Sequence, residues 1–521
     1  MRYSIAPLPR WEDVDGGDRV RVARHYRVPV PEDDVLLLPH GRPGWLRLPA
    51  SVYPLLDALD GTTVAAFTAW PGFPDAADTV RALYDAGLLF IGGRTGLRAV
   101  PTQRGAGPGD EPPTALLLKL TGACDIACDY CYDYDSGRWP GRMSSELARR
   151  LITECLLPGR RLTLMFHGGE PMLRFAQIRE LVAFARARAD EVGASVAFTL
   201  QTNGRHFDES AVDFLRSHDF TVGVSLDGPE EINDRHRVDR RGNGTFGRIA
   251  ETFARFPDFM RDEVGYLSVA GTDTTRDDLD RCWTFFRELG VLSWKLLPAD
   301  AEGRARDRPE TQRFREEFVD FLAARLTAVL DGDLDPPYLT NLVQLIEPFL
   351  SVDRPNMCMK MPCGASTDLL VLDAVGTVRA CDCSYHPAFQ LLPAAAVGPP
   401  PGRTPLPFVG TGRPPAGDLV ARSRDTPSAG ALRDRERWLL NDAPCASCAW
   451  LHQCAGTCPA RALINNGSLF SVDDLECTTR LRLFPRILED VSRSGSALRE
   501  YHARAKHRAG KALDAAAAPP R

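Results

Sequence analysis

Three cysteines stand within eight positions of one segment, TGACDIACDYCYDYDSG at residues 121–137. They are Cys124, Cys128 and Cys131, in the spacing CxxxCxxC. An iron–sulfur cluster of four irons takes four ligands, usually cysteine thiolates. Three local thiols would therefore leave one iron without a protein ligand. An open coordination position is what separates a catalytic metal site from a structural one.

A zinc site is the alternative interpretation of these thiols, and either His206 or His236 would then complete it. Disulfides are disfavoured, because the N-terminus has no apolar segment typical of a secretory signal. In a reducing compartment, the fourteen cysteines of the chain point to metal before disulfides.

Polar and glycine-containing motifs follow three of the apolar runs beyond this segment. Gly168 and Gly169, in FHGGEPML, let the backbone approach a ligand closely because they carry no Cβ. The other candidate ligand contacts in these motifs are His167, Glu170, Asn203, Ser225, Asp227 and Arg237. The runs alternate with helical stretches, and active residues of such folds gather at the carboxyl ends of the strands.

CxxxCxxC, GGEP and SLDGP together resemble the motifs of radical S-adenosylmethionine (SAM) enzymes. In that family the amine and carboxylate of SAM fill the open iron, so the resemblance implies that the fourth ligand is SAM. It also implies that Tyr130 lies against the adenine of SAM. The GGEP element, with Glu170 as its charged member, would receive the methionyl amine. Ser225 and Asp227 match positions near the ribose and carboxylate.

Three further matches are looser. Asn203, in LQTNG at the end of the third strand, is expected among the SAM contacts by position. Arg237 is a weaker match, since a surface arginine would explain it equally well. His167 stands where relatives often have Gln, which leaves its contact open.

A second set of cysteines occupies the C-terminal third of the chain. Cys363 is followed by Gly376 and Cys381, then by CASCAWLHQCAGTC, and then by Cys477. The pattern resembles the SPASM extension, the auxiliary-cluster domain of peptide-modifying radical SAM enzymes. The resemblance implies two further 4Fe–4S clusters, three in all with the first. The implied ligands are Cys358, Cys363, Cys381 and Cys458 for one cluster, and Cys445, Cys448, Cys454 and Cys477 for the other.

The remaining cysteines leave alternatives open. Cys358 lies outside the seven-cysteine signature, so Cys383 could take its place as a ligand. A zinc ribbon is the alternative for the CxxC pairs. Cys155 and Cys282 fall in helical patterns and are expected to be core residues.

Asp382 directly follows Cys381. In the sulfatase-maturating relatives an Asp at the matching position is thought to deprotonate the substrate, so the resemblance implies a catalytic general base. Burial is expected to raise the pKa of its carboxyl toward the useful range. The alternative is a residue that only orients the cluster loop through hydrogen bonds.

Six short apolar runs alternate with helical stretches from residue 114 onward. They are ALLLKLT, LTLMFH, SVAFTLQTNG, FTVGVSLDG, VGYLSVAG and SWKLLP. Such alternation predicts a parallel sheet or barrel, and six units fall short of a closed eight-fold barrel. The expected fold class is α/β: a partial (β/α)6 radical SAM barrel, with an N-terminal winged-helix-like domain and a C-terminal SPASM auxiliary-cluster domain.

Residues 1–95 show the pattern of a winged helix. DVLLLPHGRPGWLRLP predicts two strands around a Gly/Pro turn, and SVYPLLDALDG and DTVRALYDAGLLF predict helices. This arrangement resembles PqqD-like peptide-recognition domains. The resemblance implies that the leader of a ribosomally made precursor peptide adds as a strand to an exposed sheet edge. A DNA-binding winged helix is the alternative, but acidic residues outnumber basic ones here, which disfavours phosphate binding.

These patterns together predict the organisation of the chain. The expected divisions are a PqqD-like leader-recognition domain at 1–95, a linker at 96–113, the partial barrel at 114–335, the SPASM domain at 336–490 and a C-terminal tail at 491–521.

Charge and hydropathy disfavour several partner classes. The net charge of −6 gives no global basic field for nucleic acid. No run of about 18 apolar residues predicts a membrane span. The expected location is the cytoplasm, and the expected partners are the precursor peptide and an electron donor such as flavodoxin or ferredoxin.

The resemblance implies a radical SAM oxidoreductase that acts as a peptide maturase. A reduced cluster would pass one electron to SAM, and the resulting 5′-deoxyadenosyl radical would take a hydrogen atom from a peptide carbon. The expected product is an intrapeptide cross-link, either a thioether or a carbon–carbon bond. The alternatives are sulfatase-type oxidation of a protein Cys or Ser to formylglycine, peptide epimerisation, and an iron–sulfur DNA-binding regulator.

Overall fold

The structure is a computed structural model of the 521-residue chain. It describes residues 11–31, 33–69, 76–96, 112–134, 141–351, 356–361, 363–394 and 419–513. Most of the predicted linker at 96–113 and the last eight residues of the predicted tail lie outside the described residues. None of the described helices combines the length and the apolar character needed to cross a lipid bilayer.

The N-terminal part is built around a three-stranded antiparallel sheet of order β2-β3-β4. Its elements are β1 (Val20–Val22), β2 (His25–Pro29), β3 (Asp34–Pro39), β4 (Leu46–Pro49), α1 (Leu55–Leu59), α2 (Val64–Thr68), α3 (Ala76–Asp85) and β5 (Leu89–Ile91). The predicted strand pair is β3 and β4, and the predicted helices are α1 and α3. Strand β1 pairs antiparallel with β5.

Strand β3 buries apolar side chains on both faces. Val35 and Leu37 belong to a core that the N-terminal helices complete, whereas Leu36 and Leu38 belong to the large core of the rest of the chain. This follows because successive side chains of a strand point to opposite faces. The N-terminal sheet therefore packs directly onto the remainder of the chain.

The central part alternates strands and helices as the apolar runs predict. Its elements are β6 (Ala115–Lys119), α4 (Ser145–Cys155), β7 (Arg161–His167), α5 (Phe175–Val192), β8 (Ser195–Thr202), α6 (Glu209–Ser217), β9 (Thr221–Ser225), α7 (Glu230–His236), α8 (Phe246–Arg255), β10 (Val264–Ala270), α9 (Arg276–Glu288) and β11 (Ser293–Pro298). Strands β6 to β11 are parallel neighbours in chain order. The predicted α/β fold with a six-stranded parallel unit is confirmed.

The sheet continues beyond the predicted barrel boundary at residue 335. Strand β12 (Tyr338–Leu339) pairs parallel with β11, and β13 (Leu369–Leu372) pairs parallel with β6. Strands β14 (Val378–Arg379) and β15 (Gln390–Leu392) extend the same sheet antiparallel. Residues of the predicted SPASM domain thus continue the barrel sheet at both of its edges.

Helices make up most of the C-terminal part. They are α10 (Gln312–Leu330), α11 (Thr340–Leu350), α12 (Leu419–Arg424), α13 (Pro427–Asn441), α14 (Leu451–Cys454), α15 (Pro459–Asn466), α16 (Asp474–Val491) and α17 (Ala497–Leu513). Helix α17 lies in the predicted tail, but Leu498 and Tyr501 are buried, and the N–H of Leu339 donates to the Tyr501 hydroxyl at 2.7 Å. An apolar face of this helix therefore docks on the core within the predicted tail.

Candidate functional site

The CxxxCxxC loop leaves β6 and touches the turn that follows β7. Gly168 and Gly169 in that turn have positive φ angles of 83° and 51°. A Cβ on Gly169 would stand 2.1 Å from the carbonyl oxygen of Ala123, so glycine is required there. The backbone N–H of Glu170 donates to the same oxygen at 2.8 Å. The close approach that the glycines allow joins the GGEP turn to the cysteine loop.

Glu170 is buried, and three donors of the chain surround its carboxylate. Oε1 accepts from the N–H of Met172 at 2.9 Å and from Thr202 Oγ1 at 2.7 Å. Oε2 accepts from the N–H of Asn203 at 2.7 Å. Burial raises the pKa of this carboxyl, although the hydrogen bonds oppose the rise. Glu170 thereby connects the ends of β7 and β8, and its predicted contact with SAM stays a prediction.

Asn203 links the end of β8 to the cysteine loop. Its Nδ2 donates to Oδ1 of Asp125, which lies between the first two cysteines, at 2.7 Å. Arg205 Nη1 donates to Asp125 Oδ2 at 2.5 Å, and His206 Nε2 is 3.2 Å from the same oxygen. Burial would raise the pKa of Asp125, but these partners hold it below its usual range. Three successive strand ends thus meet at the cysteine loop.

Tyr130, Asp227 and Arg237 form a buried hydrogen-bonded group. The Tyr130 hydroxyl donates to Asp227 Oδ2 and accepts from Arg237 Nη1, the latter at 2.9 Å. Arg237 is only 5% exposed, so the alternative of a surface arginine is wrong. Ser225, at the end of β9, accepts at Oγ from Gln201 Nε2 at 2.9 Å. The structure brings three of the predicted SAM contacts together beside the cysteine loop.

The C-terminal cysteines gather in two groups. The first C-terminal group comprises Cys358, Cys363, Cys381, Cys383 and Cys458, and the second C-terminal group comprises Cys445, Cys448, Cys454 and Cys477. Within each group the thiols interact electrostatically with one another. This partition matches the two implied ligand sets. Cys358 and Cys383 both lie in the first C-terminal group, which therefore offers five thiols for four positions.

Asp382 lies beside the last residue of β6, Lys119. The Nζ of Lys119 is 2.7 Å from Asp382 Oδ1 and 2.8 Å from Asp133 Oδ1. The Tyr132 hydroxyl donates to Asp382 Oδ2 at 2.7 Å, and His167 Nε2 is 4.0 Å from that oxygen. These five residues, Lys119, Tyr132, Asp133, His167 and Asp382, are called the carboxylate cluster below.

The position of the carboxylate cluster follows from its chain neighbours. Tyr132 directly follows Cys131 of the CxxxCxxC loop, and Asp382 directly follows Cys381 of the first C-terminal group. Their hydrogen bond therefore joins two groups of cysteines that lie far apart in the sequence. Any substrate bound at this cluster would lie next to both groups.

Comparison with known proteins identifies the chain. A sequence profile of the Radical SAM superfamily matches residues 118–282. The serine-type anaerobic sulfatase-maturating enzyme of Bacteroides thetaiotaomicron is 30% identical over 308 residues, which cover 54% of this chain and 72% of that enzyme. The chain belongs to the radical SAM superfamily. The cysteine-type anaerobic sulfatase-maturating enzyme of Clostridium novyi is 24% identical over 279 residues, covering 51% of this chain and 72% of that enzyme.

A solved structure shares the fold of this radical SAM enzyme. It is native anSMEcpe with bound AdoMet and Cp18Cys peptide, which matches with a TM-score of 0.58 at 20% identity. The match covers 72% of this chain and 98% of that one. Membership of the superfamily makes the protein an enzyme that uses SAM and an iron–sulfur cluster. The alternative of a non-enzymatic DNA-binding regulator is therefore not supported.

The thiols of this radical SAM enzyme fit iron–sulfur clusters chemically. Burial, followed by neighbouring charges, raises the pKa of Cys131 to about 11, of Cys363 to about 12 and of Cys477 to about 11. Metal centres bind thiolates, so a cluster held by these cysteines would release their protons. The donor sets consist of thiols, which are the usual ligands of such clusters.

The zinc alternative finds no ligand set among the residues that the structure describes. Within them, no three His, Cys, Asp or Glu side chains are arranged around a single metal ion. His206 pairs with Asp125, and His236 lies between Asp129 Oδ1 at 3.0 Å and Asp273 Oδ2 at 3.1 Å. In a four-iron cluster each thiolate binds a different iron, so its ligands need not converge on one point.

The expected rise in the pKa of Asp382 is wrong. Burial does act to raise it, but the charges of Lys119 and His167 and the hydrogen bonds from Lys119 and Tyr132 lower the pKa to about 2. The carboxylate is therefore ionised at neutral pH. Burial would likewise lower the pKa of Lys119, but Asp133 and Asp382 raise it well above its usual range.

Sequence reasoning missed most of the carboxylate cluster. Lys119 is 1% exposed, its Nζ is 4.4 Å from the ring centroid of Tyr385, and the Tyr385 hydroxyl donates to Asp133. The available signal was a lysine that ends the otherwise apolar strand ALLLK at the carboxyl edge of the sheet, where active residues gather. By contrast, the expectation that Cys155 and Cys282 are core residues is confirmed by their exposures of 2% and 3%.

Proposed function

We propose that this radical SAM enzyme modifies a ribosomally made precursor peptide and forms an intrapeptide cross-link. The observation that supports this most is the hydrogen bond from Tyr132 to Asp382 at 2.7 Å. It places an ionised carboxylate between the CxxxCxxC loop and the first C-terminal group. Removal of a hydrogen atom must be followed by loss of a proton and an electron, and this arrangement sets a proton acceptor between two cysteine groups.

In this proposal the cysteines hold three 4Fe–4S clusters. Cys124, Cys128 and Cys131 would hold the one that SAM completes, and each C-terminal group would hold one auxiliary cluster. The proposed SAM contacts are Tyr130, His167, Gly168, Gly169, Glu170, Asn203, Ser225, Asp227 and Arg237. When bound, the first cluster and SAM supply a 5′-deoxyadenosyl radical. The electron would come from an external donor such as flavodoxin or ferredoxin.

Asp382 is proposed to accept the substrate proton. Lys119 keeps the carboxylate ionised, and the Tyr132 hydroxyl fixes the direction of Oδ2. An ionised acceptor is what a general base needs, although its low pKa limits its basicity in the resting protein. The alternative, that Asp382 only orients the loop after Cys381, predicts loss of the cluster rather than loss of the proton-transfer step.

The variant Asp382→Asn tests this role, because the amide is nearly isosteric but does not act as a base. We expect unchanged iron content and unchanged transfer of deuterium from labelled peptide into 5′-deoxyadenosine. The cross-linked peptide, lighter by two hydrogens, should fall by about 10²-fold. Mass spectrometry of the peptide and of 5′-deoxyadenosine measures both steps in one reaction.

Asp368→Asn is the matched control, because Asp368 Oδ2 also pairs with a lysine, Lys360, at 2.9 Å, outside the carboxylate cluster. Its product yield should stay close to that of the unaltered enzyme. A normal yield from Asp382→Asn would contradict the base role. For a reaction run in deuterated water, a peptide heavier by one mass unit, through a single solvent-derived deuterium, would point to epimerisation instead.

The N-terminal sheet is proposed to bind the leader of the precursor peptide. Strand β3 is central, so β2 and β4 are its two edges, and a leader strand could extend either. Hydrogen–deuterium exchange of the whole enzyme tests this, with the leader of a short precursor peptide sought among the neighbouring open reading frames. We expect new amide protection in one edge strand, and none with a scrambled leader. Protection confined to the barrel would mean that the leader binds elsewhere.

Oxidation of a protein Cys or Ser to formylglycine is the second candidate, favoured by the identity to the anaerobic sulfatase-maturating enzymes. Its product carries an aldehyde, which a hydrazine reagent traps, whereas a thioether or carbon–carbon cross-link does not react. The two candidates are separated by offering precursor and sulfatase-type peptides to the same preparation. Hydrazone formation would favour the second candidate.

A further inference from the structure

Two buried arginines, Arg435 and Arg480, are 3% and 7% exposed and lie near both C-terminal groups. Arg435 interacts electrostatically with Cys363 and Cys458 of the first group and with Cys445 of the second. Its guanidinium donates to three backbone carbonyl oxygens. Arg435 therefore places positive charge near both groups, and two of these three thiols belong to the first.

Arg480, on α16, makes different contacts with the two C-terminal groups. Its Nη1 donates to Cys454 Sγ of the second C-terminal group at 3.2 Å. Its Nη2 is 2.9 Å from Glu476 Oε2, one turn earlier on the same helix, and 3.6 Å from Met359 Sδ. The direct contact with a thiol is thus made in the second group.

Glu476 carries the opposite charge toward the first C-terminal group. Its Oε2 accepts from the backbone N–H of Cys458 at 2.9 Å. The ion pair between Arg480 and Glu476 therefore bridges the groups, with the cation on a sulfur of the second and the anion on the backbone of the first. The N–H of Cys458 is occupied by this carboxylate.

Charge and hydrogen bonds set the reduction potentials of iron–sulfur clusters. A reduced cluster carries one more negative charge, so a cation that donates to a ligand sulfur stabilises the reduced form. A nearby carboxylate stabilises the oxidised form instead. Both effects are strong here because the interior has a low effective dielectric constant.

We propose that Arg480 raises the reduction potential of a cluster in the second C-terminal group above that of a cluster in the first. This rests on the proposed function, which places a cluster in each group. An electron that reaches the first group then passes to the second: one cluster loses one electron, the other gains it, and no proton moves. In this proposal Arg480 acts through its charge and its hydrogen bond to Cys454, and it does not contact the substrate.

The test is a redox titration of the full-length protein followed by electron paramagnetic resonance. Replacing Cys124, Cys128 and Cys131 by Ala in every sample leaves the signals of the C-terminal groups alone. In that background Arg480→Gln should lower the equilibrium constant for electron transfer from the first group to the second by about tenfold. For a one-electron couple this is about 59 mV.

Arg482→Gln is the matched control, because it removes the same charge from the same helix at an exposed position paired with Asp320. Its potentials should not move. Arg480→Lys keeps the charge, so its shift in reduction potential should be smaller than that of Arg480→Gln. It also provides a second measurement if the glutamine variant does not fold. Unshifted potentials in Arg480→Lys and Arg480→Gln, with full iron, would overturn the inference. Absence of two C-terminal signals before any Arg480 substitution would overturn the proposed function itself.

Discussion

The CxxxCxxC loop and the second C-terminal group bring their thiols together in different ways. Cys124, Cys128 and Cys131 lie in one loop after β6, so the chain gathers them locally. Cys445 and Cys477 instead come from either side of α14 and α15, and meet only when α16 packs. We infer that the loop depends on a few neighbouring residues, whereas the C-terminal group depends on correct packing of a whole region.

The charges around the two regions differ as well. Beyond burial, the largest influence on the pKa of Cys124 comes from Glu170, and on that of Cys131 from Asp133; both are carboxylates. Beside the second C-terminal group Arg480 donates to Cys454. Negative surroundings favour the oxidised form of a cluster and positive surroundings favour the reduced form. Carboxylates thus have the largest charge effect beside two of the three loop thiols, whereas Arg237 has the largest charge effect beside Cys128.

The largest expected effect comes from replacing Cys124, Cys128 and Cys131 together by Ala. Reductive cleavage of SAM should stop completely, because the proposed function assigns the iron that binds SAM to this loop. About eight of roughly twelve irons should remain, since each cluster holds four. Chromatography of 5′-deoxyadenosine and an iron assay after anaerobic reconstitution check both numbers.

The reverse variant sharpens the comparison. Replacing Cys445 and Cys448 by Ala should remove about four irons and leave SAM cleavage intact. Two results would show that the SAM-binding cluster is assigned to the wrong region. They are continued formation of 5′-deoxyadenosine without Cys124, Cys128 and Cys131, or its loss without Cys445 and Cys448.

A smaller effect, about tenfold at neutral pH, is expected from Lys119→Met. Burial acts to raise the pKa of Asp382, but Lys119, with smaller effects from His167 and Tyr132, lowers it to about 2. Without the lysine, burial raises this pKa, so the carboxylate takes up a proton as the pH falls. The yield of cross-linked product should then decrease toward acidic pH. The product yield of the unaltered enzyme should show no such decrease above about pH 5. The ratio of cross-linked peptide to 5′-deoxyadenosine, measured across pH, is the readout.

Lys360→Met is the control for this variant, because Lys360 pairs with Asp368 outside the carboxylate cluster. Its pH profile should match that of the unaltered enzyme. A flat profile in Lys119→Met would show that other groups keep Asp382 ionised.

The sequence predicted those features that depend on local spacing. The six parallel strands and the GGEP turn follow from periodicity and motif, and the partition of the C-terminal cysteines is implied by the resemblance to SPASM domains. The carboxylate cluster did not, because Lys119 and Asp382 come from distant segments that meet only when β13 pairs with β6. The direction of the pKa shift of Asp382 was missed for the same reason, since its cause is the unforeseen lysine.

The N-terminal part also makes long-range contacts that the sequence did not predict. The apolar run and the Gly/Pro turn predict strand β3, but they do not reveal that Leu36 and Leu38 face a second core. Trp45 Nε1 also donates to the carbonyl oxygen of Phe349 at 3.0 Å, across that boundary. Removing residues 1–95 would therefore expose apolar surface, which is why exchange measurements on the whole enzyme are preferred.

A still smaller effect separates the two candidates for the fourth ligand of the first C-terminal group. Cys358 is exposed, whereas Cys383 is hydrogen-bonded to Cys381. We expect Cys358→Ser to lower the iron content by about four, and Cys383→Ser to leave it unchanged. Iron assay and the paramagnetic signals of the reduced protein check this. The opposite result would assign the ligand to Cys383.

The smallest effect is expected at the cysteines that belong to no group. Cys155 on α4 and Cys282 on α9 are buried in the large core, and Cys282 Sγ donates to the carbonyl oxygen of Asp227 at 3.0 Å. Cys155→Ala removes one buried sulfur, so the free energy of unfolding should fall by about 1 kcal/mol, with a drop in melting temperature of about 2 °C or less. Iron content and SAM cleavage should not change, because Cys155 lies in the large core and in neither C-terminal group. Cys282→Ala should also lower the free energy of unfolding, since it loses the hydrogen bond to the carbonyl oxygen of Asp227. Loss of iron from either variant would mean that the thiols of this chain are divided differently between core and clusters.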